Sequence, residues 1–389
     1  MRKHTLLALL IIALTQTAFA RVELDEQTSV RFATRDQATQ ILGAKDGFAR
    51  ALGSFDRSAR LQATENVSTA QVLDFMSRQA RSFTDDEKSR VTELLASIRR
   101  RLRELGWDLP LPRQVLLVKA SSRLENGFPH CRQNAIILPN STAGLRNPDL
   151  KLIIIHELFH ILTIAAPDLQ ERLYAVVGFK PCPGVSFPKQ LTERKVTNPD
   201  AFGVNYCAEL EYQGRPIHAT PILLSPTATY DPSRDIPFIE YARVRFLVVE
   251  KEGEKWACRY KDGSPMVLKR SEVSGYLDKV GRNTGYIIHP EEVLAQNFMF
   301  IVRGREEFRT PEIPAEMTKV LRQCSKEGTK KEARAVFRLP GQTSPRQQWV
   351  DSTSVAVPTG ILRLPTAKLT GPGAPLRGRT PAASPQSRS

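Results

Sequence analysis

Apolar residues fall at helical spacing after Thr84-Asp85-Asp86-Glu87: Val91, Leu94, Leu95, Ile98 and Leu102 share one face. The threonine followed by acids is a helix-start signal, and Gly106 with Pro110 and Pro112 ends the pattern. Residues 21 to about 110 therefore read as mostly helical. Two short apolar runs follow, residues 114–119 (Val115, Leu116, Leu117, Val118) and 135–138 (Ala135, Ile136, Ile137, Leu138), with the length and composition of strands. Asn147-Pro148-Asp149 predicts a turn and a helix start, and residues 152–164 are strongly apolar. Residues 180 to about 245 are rich in Pro and Asn, residues 246–249 are β-prone, and Lys261-Asp262-Gly263-Ser264 reads as a hairpin turn. This region is expected to be an irregular, partly β insertion. Helical spacing resumes at Pro290 with Leu294, Phe298 and Ile301, and a further helix is expected over roughly 314–324. From about residue 339 the chain turns to Pro, Ser, Thr, Gly and Arg with little periodicity, too few apolar groups to offset the entropy of ordering.

The first twenty residues follow another logic. Arg2 and Lys3 precede an apolar run over residues 6–14, and Ala18-Phe19-Ala20 fits a small-x-small cleavage site, the layout of a secretory signal peptide. The run is far short of the ~20 residues a membrane-spanning helix needs. The expectation is a chain exported to the periplasm or secreted, without a transmembrane segment once processed. Five cysteines (Cys131, Cys182, Cys207, Cys258, Cys324) include no CxxC pair, which disfavours a cysteine zinc site. Cys182 with Cys207 is one conceivable disulfide, but the sequence does not fix connectivity.

Composition is ordinary for a globular protein, 41% hydrophobic and 25% charged across 389 residues. The net charge of +15 is concentrated beyond Cys324, where Lys and Arg greatly outnumber Asp and Glu. A tail of this kind suits weak contact with anionic envelope polymers. No nucleic-acid-binding motif accompanies the charge, which disfavours that class.

The chemistry sits at His156-Glu157-Leu158-Phe159-His160, an HExxH motif. On a helix, positions i and i+4 share a face, so both imidazoles reach one metal ion, and the glutamate beside them can take a proton from the attacking water. The bland alternative is a pair of satisfied histidines on a core helix. Against it, Glu157 is the one charge between Leu152 and Pro167, and burying unpaired His and Glu costs several kcal/mol. A tetrahedral zinc site needs a third protein ligand. The metzincin continuation is excluded, because Thr163 and Ala166 stand where it requires Gly and His. A distant carboxylate remains, with Glu171, Glu209, Glu211, Glu240, Glu291 and Glu292 as candidates.

Glu292-Val293-Leu294-Ala295-Gln296-Asn297-Phe298 matches the E-x-x-A-x-x-F pattern on the second metal helix of gluzincin peptidases, and the chain resembles those similar to anthrax lethal factor. The likeness covers roughly residues 84–305, with specific motifs only at 156–160 and 292–298. It implies Zn²⁺, one ion, held by His156, His160 and Glu292, with Glu157 as general base on a peptide or protein substrate. Glu291 is the rival third ligand, since only one of two successive helix positions can face the metal. The family places a tyrosine a little upstream that stabilises the oxyanion, which points to Tyr286; a tyrosine packed at a turn is the competing view. The family often has an acid four residues after the ligand to orient the first histidine, whereas this chain has Gln296. The zincin layout also implies that residues 135–138 are the substrate-binding edge strand; a short buried strand is the competing view.

The fold expected is α+β: an export signal over 1–20, an N-terminal helical region over 21–110, a zincin-like catalytic domain over 111–325 with the insertion at about 180–283, and a basic tail over 326–389. The functional expectation is an exported zinc metallopeptidase. The alternative is a non-catalytic zincin-fold protein that binds envelope material.

Overall fold

The structure, a computed structural model, describes residues 21–234 and 236–336, with side chains described as far as Lys326. The expected export signal and the tail beyond residue 336 lie outside the described residues. In chain order, β1 (Val22–Glu23) and β2 (Ser29–Phe32) precede helices α1 (Arg35–Leu42), α2 (Gly47–Ala51), α3 (Ser54–Leu61) and α4 (Thr69–Ser77). Then come β3 (Ala80–Arg81), α5 (Asp85–Glu104), β4 (Gln114–Ala120), β5 (His130–Arg132), β6 (Ala135–Pro139), α6 (Asn140–Ala143), α7 (Asn147–Ala165) and α8 (Pro167–Val176). Strands β7 (Phe179–Pro181), β8 (Tyr206–Tyr212), β9 (Arg215–Leu224), β10 (Arg243–Glu252), β11 (Lys255–Cys258), β12 (Tyr260–Lys261), β13 (Ser264–Pro265) and β14 (Val267–Lys269) follow. Helices α9 (Tyr276–Val280), α10 (Pro290–Arg303) and α11 (Glu312–Val336) close the described chain. The protein is α+β, as expected.

The central sheet has the order β1-β2-β4-β6-β5. Strands β2, β4 and β6 are parallel, β5 is antiparallel to β6, and β3 pairs with the end of β4. Side chains alternate across it with the period of two that a pleated strand imposes. Val115, Leu117, Ile136 and Leu138 enter one core with α5, α7 and α10. Leu116, Val118, Ala120, Ala135 and Ile137 pack on the other face against residues of α1, α2 and α4. Burial on both faces explains why β4 and β6 read as continuous apolar runs. The N-terminal region is therefore not a separate helical unit: it contributes β1 and β2 to this sheet, covers one face of it with α1, α2 and α4, and adds α5 to the core on the other. Both strands are too short to leave a periodic signal.

Residues 135–138 are not the edge. β6 lies between β4 and β5, and the sheet ends at β5, a three-residue strand. Apolar residues mark a strand that is covered, so the sequence pointed to the inner strand. The insertion also proves regular. β7 to β11, with β14 on β10, form an antiparallel sheet. Phe246 and Val248 face the main core, while Leu247 and Val249 face a separate apolar cluster. The predicted hairpin is present between β12 and β13, with Asp262 and Gly263 both at positive φ, as a two-residue I′-type turn requires. The last helix runs past the expected 324 to Val336, into the segment assigned to the tail.

α5 begins as its sequence predicts. Thr84 Oγ1 accepts from Glu87 N and Glu87 Oε2 accepts from Thr84 N, a reciprocal capping box. α7 turns sharply into α8, by 118°, at Ala166-Pro167. Among the described residues no single helix is long and apolar enough to cross a membrane. α7 packs against α10 through Phe298, which sits 5.5 Å from the Phe159 ring and stacks on Trp107 at 5.6 Å. That contact brings the two motif-bearing helices together.

Candidate metal centre

His156, Glu157 and His160 occupy the middle of α7, where every side chain from Ile153 to Thr163 is buried. Glu292 lies in the first turn of α10, whose start is set by Pro290 and by the His289 ring, which accepts from Glu291 N. The helices bring three donor atoms together. His156 Nε2 is 3.1 Å from His160 Nε2 and 3.2 Å from Glu292 Oε2, and His160 Nε2 is 3.7 Å from Glu292 Oε2. A tetrahedral zinc site with bonds of about 2.0–2.2 Å spaces neighbouring donors about 3.3–3.5 Å apart. The triangle fits one such ion.

Glu291 and Glu292 separate cleanly. Glu291 turns away from the triangle and its Oε1 accepts from His160 Nδ1 at 2.9 Å. It is itself held by Thr163 Oγ1 at 2.6 Å and by the Tyr174 hydroxyl at 2.7 Å. A proton on Nδ1 leaves Nε2 as the bare ligand nitrogen, and the carboxylate raises its basicity. Gln296 does not play the corresponding part for the first histidine: His156 Nδ1 is buried without a hydrogen-bond partner among the described residues.

Electrostatics follow from this crowding. Burial alone would pull the His160 imidazole down, but Asp200, Glu292 and Glu291 outweigh it and hold it well above its usual value. Burial alone would push Glu292 up; His160, His156 and the Asn198 amide hold it at about 2. Glu157 is pushed up, chiefly by burial and further by Glu292, against the opposing pull of both imidazoles. Its carboxylate is steadied by Cys131, whose thiol donates to Glu157 O at 3.3 Å and Oε2 at 3.4 Å. Tyr286 is buried beside the centre, its ring 6.5 Å from that of His156, and burial raises its hydroxyl pKa well above the usual value.

Several residues of the centre left no mark in the sequence. Cys131 read only as a thiol that could enter a disulfide. Thr163 served only to exclude the metzincin continuation, and Tyr174 carried no signal. Asn198-Pro199-Asp200 read as loop, yet Asn198 Nδ2 donates to Glu292 Oε1 at 2.8 Å and Asp200 gathers with Glu157 and Cys131. His289 caps α10, and burial lowers its pKa to about 4. His218 lies on β9 against Trp256, in the second sheet. Cys182 and Cys207 are both buried free thiols, and the Cys182 thiol donates to Val204 O at 3.3 Å.

The fold and the cluster define an α+β protein with a buried His-His-Glu donor set. No protein-family model, curated protein or solved structure matches the chain, so the chemistry of the donor set carries the functional reading.

Proposed function

We propose that the chain is an exported zinc-dependent peptidase of zincin type, with the ion held by His156, His160 and Glu292. The observation that carries this is the donor triangle, with edges of 3.1, 3.2 and 3.7 Å, in a pocket rich in carboxylates. Glu157, Glu291, Glu292 and Asp200 crowd around two imidazoles, an arrangement that a divalent cation would neutralise. The layout supports the zincin reading further: a mixed sheet with an antiparallel edge strand, then the HExxH helix, then the glutamate helix.

A zinc ion bound there supplies Lewis-acid polarisation of the scissile carbonyl and lowers the pKa of the attacking water. Glu157 takes the proton from that water and passes it to the leaving amine; its raised proton affinity suits a group that must hold the proton between the two events. Tyr286 donates to the oxygen that gains negative charge. Glu291 fixes the His160 ring. The substrate is an extended peptide, in a protein or in cell-wall material.

The rival is a non-catalytic zincin-fold protein that binds envelope material, and one observation favours it: His156, Glu157, His160 and Glu292 are each no more than 3% exposed. Glu157→Gln separates the two. The peptidase keeps stoichiometric zinc and loses hydrolysis of an unfolded protein such as casein by roughly 10²–10⁴-fold. Unchanged hydrolysis removes Glu157 as the base. Stoichiometric zinc with no hydrolysis even in the wild type supports the binder.

A further inference from the structure

Residues 196–204, which link the short helix Lys189–Arg194 to β8, run beside the centre. Irregular segments usually stay at the surface, where water satisfies their backbone. Here Lys195, Val196, Thr197 and Asn198 are buried, and specific partners replace the water. Val196 N donates to Leu223 O at 3.0 Å. Thr197 N donates to Asp56 Oδ1 at 2.7 Å and its hydroxyl to Asp56 Oδ2 at 2.5 Å. Arg60 Nη2 donates to Thr197 O at 3.0 Å, and Lys195 Nζ donates to Ala51 O at 3.1 Å. The N-terminal helices thus clasp one end of the segment.

The other end reaches the centre. Asn198 Nδ2 donates to the Glu292 oxygen Oε1, the one outside the donor triangle. Asp200 N donates to Asn198 Oδ1 at 3.0 Å, which locks the two residues together. Asp200 Oδ1 accepts from Cys131 N at 2.9 Å. Cys131 is the middle residue of β5, the edge strand, and this N–H points away from β6. It is the donor that a backbone carbonyl of an added peptide strand would take. Ligand-type atoms of Asp200, Glu157 and Cys131 lie within 4.8 Å of one another, so the same carboxylate also stands beside the general base.

We propose that residues 196–204 form an internal strap that keeps the centre closed, with Asp200 standing in for a substrate carbonyl on β5 and Asn198 tethering the strap to Glu292. The proposal rests on the peptidase reading and adds its regulation: an extended peptide must displace the strap, and the clasp from Asp56 and Arg60 sets how readily it yields.

The test uses the chain from residue 21 to 389, stripped of metal with a chelator, so that it does not depend on turnover. Diethyl pyrocarbonate modification of His156 and His160 is followed by mass spectrometry, with His218, on the second sheet, as the internal reference. In the wild type both centre histidines should react much more slowly than His218. In Asn198→Ala/Asp200→Ala their rate should rise about 10–100-fold, the gain expected when an open state populated at the per cent level becomes dominant. Asp200→Asn, nearly the same size, should give a smaller rise and covers the case in which the double variant does not fold. Unchanged histidine reactivity in a folded variant, or histidines already fast in the wild type, overturns the strap. Zinc content of untreated protein is read separately: its absence sinks the peptidase reading, while the reactivity ratio still decides whether the segment closes the centre.

Discussion

Asp46, Asp56 and Glu125 are buried with Arg60 and Arg132; Glu157, Glu291 and Glu292 are buried with His156 and His160, with Asp200 half-buried beside them. The two groups follow opposite rules. In the first, each carboxylate meets a guanidinium. Arg60 donates to Asp56 at 2.8 Å and to Glu125 at 2.9 Å, and Arg132 donates to Asp46 at 2.7 Å. Lys195 lies close by, and His130 is held neutral, its pKa pulled down to about 3, chiefly by burial. That cluster answers its own charges and fastens the N-terminal helices to β5 and to the strap. In the second, the ion pairs are between His and Glu, and carboxylates outnumber imidazoles. A buried charge without a counter-charge is costly, so a stable excess of one sign points to a ligand of the other. The first cluster is architecture; the second fits the proposed cation site.

The sharpest way to break this contrast is Arg60→Met. It removes the guanidinium that pairs with both Asp56 and Glu125, and urea melts should show a loss of about 3–5 kcal/mol that added zinc does not restore. A smaller loss would mean that the cluster is less self-contained than its geometry implies. Lys195 gives a pH-dependent test. Burial pulls its pKa down from 10.5 to about 8, against the opposing charge of Asp56. Between those values the unfolded chain binds the extra proton, so stability should rise with pH across that window, by up to about 3 kcal/mol. Urea melts of wild type against Lys195→Met isolate this contribution, and equal slopes in the two proteins would contradict it. The smallest effect belongs to the second cluster. Glu291→Gln keeps the donor triangle but weakens the hold on His160 Nδ1, and competition with a chelator should show zinc bound roughly 10–100-fold more weakly. Complete loss of zinc would instead make Glu291 a ligand.

Much of the centre could be read along the chain. His156 and His160 meet because four residues nearly complete a helical turn, and the apolar flanks that demanded a helix are contiguous with them. The start of α10 is marked by Pro290, and the E-x-x-A-x-x-F spacing singled out Glu292, whose partner contact Phe298–Phe159 then joins the helices. α5 shows its cap, its apolar face and its end in a single stretch. Each of these features is local, so backbone geometry alone ties the residue pattern to the structure.

What the sequence could not determine involves residues brought close by packing. Glu291 and Glu292 are neighbours with identical chemistry; only the angle between α7 and α10 decides which meets Nε2 and which meets Nδ1. β5 is too short for any periodicity, so the covered strand β6 looked like the edge until their pairing was seen. Asn198 and Asp200 carry no helical or strand signal, and their place over Glu292 and Cys131 depends on Asp56 and Arg60, far away in the chain. Local periodicity fixes which face of an element is apolar. The few ångströms that separate Glu292 from the two imidazoles, Glu291 from His160 Nδ1 and Asn198 from Glu292 are fixed only when those faces pack together.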